Sequence, residues 1–290
     1  MFNVLIRWSI PLAALFALGP IAAMLTHGLR AADGGPETSL FFNTAPLSAA
    51  VALIVSLALA LGIGVVGARY IEQRSGLLAA GLVLAWAAWG LGRTDGILAL
   101  SRSSSTLYIL AAESAVLAVA AFAIALVIFR VPTTVPGFIV ASDATRNLAA
   151  KSHHEPTAFA VPTAALAIIA AVVGGAVGAW LIAQDFLKGQ TFAAAAVGGL
   201  LAAALARLVS QRTNPALIVL GLMFVGVLGP VIATFLHPSP LGPTRAAMSG
   251  TLFPLARPLP MHWLAGAFVG VPFGLWWAGS MLEKHDATAK

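Results

Sequence analysis

The chain has 290 residues, of which 60% are hydrophobic and only 9% charged, with a mean hydropathy of +0.95. A soluble domain carries roughly 25% charged residues, so this composition excludes one and describes an integral membrane protein. The formal net charge of +6 sits on single Arg and Lys residues at the ends of apolar runs, which is a membrane-topology pattern and not the basic stripe of a nucleic-acid surface. The expected partner is therefore the lipid bilayer, and nucleic acid is excluded. The absence of cysteine removes disulfides, thiolate metal sites and cysteine nucleophiles from consideration. The Ala- and Gly-rich, Lys-poor composition points to a bacterial cytoplasmic membrane.

A membrane-crossing helix needs about 20 mainly apolar residues. Eight stretches qualify, at about 8–27, 46–68, 76–93, 107–129, 159–183, 191–209, 215–236 and 261–282. The first is longer than the apolar core of a signal peptide, and Arg30 stands where cleavage needs a small residue. It is read as a transmembrane helix. With the N-terminus inside, ten basic residues fall on the cytoplasmic side: Arg7, Arg69, Arg74, Arg130, Arg146, Lys151, Arg207, Arg212, Lys284 and Lys290. Six fall outside: Arg30, Arg93, Arg102, Lys188, Arg245 and Arg257. This bias follows the positive-inside rule and predicts two cytoplasmic termini.

Two of the tight turns are alike. Arg69, Gln73, Arg74 and Ser75 match Arg207, Gln211, Arg212 and Thr213 at one constant offset, each set joining the second and third helix of a group of four. Pro11 and Pro162 align within IPLAAL and VPTAAL, and Gly81–Leu82 aligns with Gly221–Leu222. The expected fold is all-α, with eight transmembrane helices in a tandem repeat of two four-helix units. An even number of helices per unit gives the copies a parallel orientation. The units span residues 1–129 and 159–290. Residues 130–158 form a cytoplasmic linker, with a short surface helix expected over 142–151 and Ser142 or Asp143 as its N-cap.

Small residues four apart let helices approach closely in a bilayer. Gly266, Gly270 and Gly274, then Gly174 and Gly178, then Gly62 and Gly64 are the expected contact faces. Gly229–Pro230 and Pro272 are expected to kink their helices. The outer loop at 237–260 is proline-rich, with room for one short helix near 244–253.

Glu113 is the one acid inside an apolar run, at 107–129. It lies roughly 9 Å below the end of its helix at 1.5 Å per residue. A carboxyl at that depth is costly, and it faces a protein interior or a cavity. Its own helix face is apolar, so its partner is expected from another helix. Arg93 is the first candidate and Arg102 the second; the functional reading is a proton or cation site, the structural reading is an ion pair or a protonated acid hydrogen-bonded to a backbone carbonyl, and the remaining one is a lipid-facing outlier.

His27, His237 and His262 are expected at one level, at the outer ends of their helices. Converging imidazoles there are weak metal or haem candidates, without any HxxxH or HExxH spacing to strengthen them. His153, His154 and Glu155 are a second weak cluster, in the linker. Trp8, Trp180 and Trp263 read as interfacial anchors. Trp86, Trp89, Trp276 and Trp277 lie deeper, for packing and lipid contact in the first reading and as a stacking surface for a flat ligand in the second.

No acid pair, activated nucleophile or metal motif emerges, so the sequence leans away from an enzyme, and no cofactor is expected. The leading expectation is a transporter or channel for a small solute or ion that uses Glu113. The alternative is a non-catalytic subunit or scaffold whose glycine faces, with the proline-rich outer loop as a further dock, meet partner membrane proteins or a second copy of the chain.

Overall fold

The computed structural model describes residues 2–133, 161–210 and 214–288. Among the described residues it is all-helical and without strands, and eight helices are long and apolar enough to cross a membrane. The linker helix expected over 142–151 and the His153, His154 and Glu155 cluster lie outside the described residues, as do Gln211, Arg212 and Thr213.

The first span joins α1 (Phe2–Ala13), a π-helical turn (Ala14–Leu18) and α2 (Gly19–His27). Pro11 and Pro20 bracket the π turn. Each lacks an N–H for the helical ladder, so the segment between them winds wider. Next come α3 (Pro46–Tyr70) and α4 (Gln73–Trp89). At Arg93 the backbone turns extended, with φ −127° and ψ 150°, before a short α5 (Thr94–Ser101). The third helix was expected over 76–93; it begins and ends earlier, and the sequence reading missed α5. Asp95 in the first turn of α5 favours a helix start through the helix dipole.

The remaining long helices are α6 (Ser105–Arg130), α7 (Val161–Ile182), α8 (Lys188–Val209), α9 (Pro215–Leu236) and α11 (Pro260–Thr288). Between α9 and α11 lies α10 (Gly242–Met248), followed by a 3₁₀ turn at Pro254–Ala256. Where one short helix was expected, the loop forms two pieces. Asn214 caps α9, its Oδ1 accepting the Ala216 N–H at 2.9 Å, with Pro215 in the first turn where no N–H is needed.

Connections gather on two faces. On the loop face, Gly92 N–H donates to Thr38 O at 2.9 Å, Thr94 Oγ1 to Arg257 O at 2.7 Å, and Thr244 Oγ1 to Leu98 O at 3.0 Å. The segments around 38, 92–98 and 244–257 are thereby sewn together. On the terminal face, Gln73 Nε2 donates to Val131 O at 3.1 Å and Trp276 Nε1 to Glu72 Oε1 at 3.0 Å.

Within the bundle α4, α9 and α11 are the most enclosed spans, while the first span and α3 are the least. The outward side chains of those two are apolar, among them Phe16, Met24, Leu47 and Ile54, as contact with lipid requires. Glycine governs the closest packing. A Cβ on Gly266, Gly270 or Gly274 of α11 would run into Ala195, Ala196 or Leu200 of α8, and one on Gly174 or Gly178 of α7 would meet the other side of α8. The small-residue helix α8 is thus held between two glycine faces. Gly64 likewise meets Ala80 and Ile128, but Gly62 has open space around it and is no contact. Trp263 also departs from expectation. It is fully buried against Gly226, because the missing side chain on α9 leaves room for an indole that hydropathy alone places at the interface.

Candidate functional site

Glu113 is completely buried. Its Oε2 accepts the Phe41 N–H at 2.9 Å, and the Ser39 side chain and Leu40 backbone lie around the same carboxyl. Oε1 has no hydrogen bond among the described residues. The segment that reaches it is a loop and not the expected neighbouring helix. Thr38, Ser39 and Leu40 are themselves buried, and Phe42 N–H bonds to Ser39 Oγ at 3.1 Å while Ser39 N–H bonds to Phe42 O at 3.1 Å. This closed turn leaves the Phe41 N–H free to point at the acid.

Arg93 is engaged elsewhere. Its guanidinium pairs with Asp95 at 3.2 Å and its backbone N–H donates to Glu37 Oε2 at 2.6 Å. It makes no ion pair with Glu113. Arg102 is exposed and ends α5 in the left-handed conformation, at φ 47°. Neither arginine neutralises the acid, which is met instead by the Phe41 N–H.

The three histidines separate. His27 is exposed, His237 is half-buried and His262 is buried. Among the described residues no three His, Cys, Asp or Glu side chains form a group able to hold a metal.

His262 instead joins the tryptophans. A cavity of about 440 Å³ is lined by Leu15, Ala85, Trp86, Trp89, Phe192 and His262. Leu15 comes from the π turn, the next three from α4, Phe192 from the second turn of α8 and His262 from the first turn of α11. The site lies at the loop-face end of four helices. Trp86 sits directly against Gly19, where a Cβ would overlap its ring, so glycine after the π turn fixes the indole in the wall. The sequence reading missed Gly19, and it also missed Leu15, Ala85 and Phe192. Only the deviation from straight helix that two prolines impose could have signalled the first two.

The wall is apolar apart from the imidazole, and a charge stands beside it. Lys188 Nζ donates to the Trp89 carbonyl at 3.1 Å, and its positive charge acts on His262. On the loop face Arg257 is buried. Its Nε donates to Leu252 O at 3.1 Å and its NH2 to Gly250 O at 2.8 Å, and its guanidinium lies 5.2 Å from the Phe186 ring centre. Burial lowers its pKa, and Asp185 opposes the shift.

This arrangement is suited to holding a small apolar molecule against two indoles and a phenyl ring. No family model, curated protein or solved structure matches the chain.

Proposed function

We propose that this multi-pass membrane protein binds a small lipid-soluble molecule and carries it at the loop-face end of the bundle. The carrying observation is the 440 Å³ cavity walled by Trp86, Trp89 and Phe192. Its volume falls within the roughly 300–1,000 Å³ of ordinary ligand pockets, and its apolar wall with one polar group is their usual make-up. The reading keeps a small solute as the cargo and moves its site from Glu113 to the tryptophans. Glu113 then serves to pin a loop, which its bond to the Phe41 N–H supports. The glycine faces of α7 and α11 are spent on α8, so a partner subunit, the alternative reading, would have to dock elsewhere.

We place the loop face outside a bacterial inner membrane and both termini in the cytoplasm, on the ten-to-six distribution of basic residues. The cavity then opens in the outer half of the bilayer.

The test is chemical. Protein purified in mild detergent is extracted and its small molecules compared by mass spectrometry with those of Ala85→Phe, which fills the cavity without removing a contact. A compound retained by the wild type and lost from the variant is the expected result. Identical extracts from two well-folded proteins would sink the reading.

A further inference from the structure

His262 carries one more piece of chemistry than the cavity alone. Leu259 precedes α11, and its carbonyl accepts the N–H groups of His262 at 2.9 Å and Trp263 at 3.2 Å, which makes it the N-cap. The Leu259 N–H in turn donates to His262 Nδ1 at 3.2 Å. The imidazole so fills the place of the third-position Glu or Gln in a capping box.

That bond assigns the ring's proton. Nδ1 has to present a lone pair to the Leu259 N–H, so it carries no hydrogen, and a neutral imidazole must then carry its hydrogen on Nε2. The nearby Thr191 hydroxyl, 3.4 Å from Nδ1, also lies within reach of Leu187 O at 3.2 Å and Lys188 O at 3.1 Å. Nε2 is buried and has no partner among the described residues. A buried donor left unpaired is unfavourable, and native proteins seldom retain one without a use.

We infer that the cavity takes a planar ring bearing a carbonyl oxygen, a quinone-type head group, and that His262 Nε2–H is the donor that recognises it. This rests on the reading of the cavity as the ligand site. Indole and phenyl walls favour a flat ring by stacking, and the Lys188 charge at Trp89 favours an electron-rich oxygen on that side of the ring. A plain acyl chain offers neither a face to stack nor an oxygen to accept. Nε2 is buried, so a carbonyl has to displace a neighbouring group to reach it; among the lining rings Trp89, at 52% exposed, is the least confined.

Binding is measured on the full chain in detergent, the quinone by saturable quenching of tryptophan emission and the hydrocarbon, which does not quench, by its reversal of that quenching in competition. The probes are a short-chain alkyl-1,4-benzoquinone and an alkylbenzene of equal chain length, with Ala85→Phe as the blank for quenching elsewhere. The wild type should bind the benzoquinone about 5- to 10-fold more tightly, the worth of one net hydrogen bond. His262→Asn keeps an oxygen near the Nδ1 position for the Leu259 N–H but has nothing at Nε2, so it should lose that margin. His262→Gln, with an amide N–H near the Nε2 position, should recover most of it. Equal affinity of the wild type for both probes overturns the inference and leaves the pocket reading standing, and so does a His262→Asn protein that keeps the full margin. Saturable binding of neither probe to folded wild type overturns both.

Discussion

The Glu113 carboxylate and the Phe41 backbone N–H, 72 residues apart in sequence, meet at 2.9 Å and tie a transmembrane helix to a buried loop turn. A glutamine has an acceptor oxygen in the same place and carries no charge. Glu113→Gln should therefore match or exceed the wild type in thermal stability, since removing a buried unpaired charge is neutral or favourable. Glu113→Ala takes away the acceptor of the part-buried Phe41 N–H and should cost about 1–3 kcal/mol. Thermal unfolding in one detergent compares them. A Gln variant as unstable as the Ala variant would mean that the charge, and not the acceptor, holds the loop.

Glycine packing makes a paired prediction. A methyl group at Gly270 meets the Ala196 carbonyl and the Leu200 nitrogen, both fixed backbone atoms, whereas one at Gly62 meets nothing within 4 Å. Gly270→Ala should destabilise by about 1–3 kcal/mol as an overpacked contact. Gly62→Ala should be neutral or stabilise by up to about 1 kcal/mol through helix propensity. Unfolding of the two variants side by side checks both, and equal effects would contradict the assignment of α8 as the tightly held helix.

The spans were legible because apolar runs of bilayer length are a one-dimensional signal: Pro46, Pro215 and Pro260 start helices within a residue of where the sequence placed them. The end of the third helix was placed at 93, close to the break at Gly90–Arg93, but the short α5 beyond it was not legible, since at eight residues it is too short to give a span-length apolar signal. For the site, the sequence reading singled out Trp86, Trp89 and His262 one by one. Their convergence depends on how the first span, α4, α8 and α11 pack, which periodicity does not encode. Trp263 shows the same limit, since only the contact with Gly226 distinguishes it from an interfacial anchor. The duplicated unit remains a proposal. Exchanging the halves carries the α4–α11 contact onto the α9–α6 contact, yet α8 is enclosed by α7 and α11 while its counterpart α3 leans mainly on α4.

Arg257 anchors the loop at 244–257, and its shape matters as much as its charge. The guanidinium reaches Leu252 O and Gly250 O with separate nitrogens and stacks on Phe186, a fork that an ammonium does not reproduce. Arg257→Lys should lose one of the two carbonyl bonds and part of the ring contact, destabilising the loop by about 1–2 kcal/mol. Hydrogen exchange of the backbone amides in 244–257 should speed up by roughly 5- to 30-fold, with the amides of α4 unchanged. Unaltered exchange in that loop would show that charge alone is enough there.

The last prediction concerns sidedness. The loops at 28–45 and 237–259 share one face through their common contacts with 92–98, where Thr38 O accepts the Gly92 N–H and Arg257 O accepts the Thr94 hydroxyl. Whatever membrane face one of them occupies, the other occupies too. In the orientation proposed above that face is outside, and the chain has no cysteine of its own, so single cysteines report position without background. Gly35 and Gly250 are the places to put them, at loop positions that are half-buried and exposed respectively. In intact cells an impermeant maleimide should label Gly35→Cys and Gly250→Cys alike, while Ser75→Cys at the opposite face should react only after lysis. Labelling of Gly35→Cys and Gly250→Cys only after lysis would invert the orientation and place the tryptophan cavity in the inner half of the bilayer. Labelling of one without the other would contradict the eight-span bundle itself, because the hydrogen bonds between these segments cannot form across a membrane.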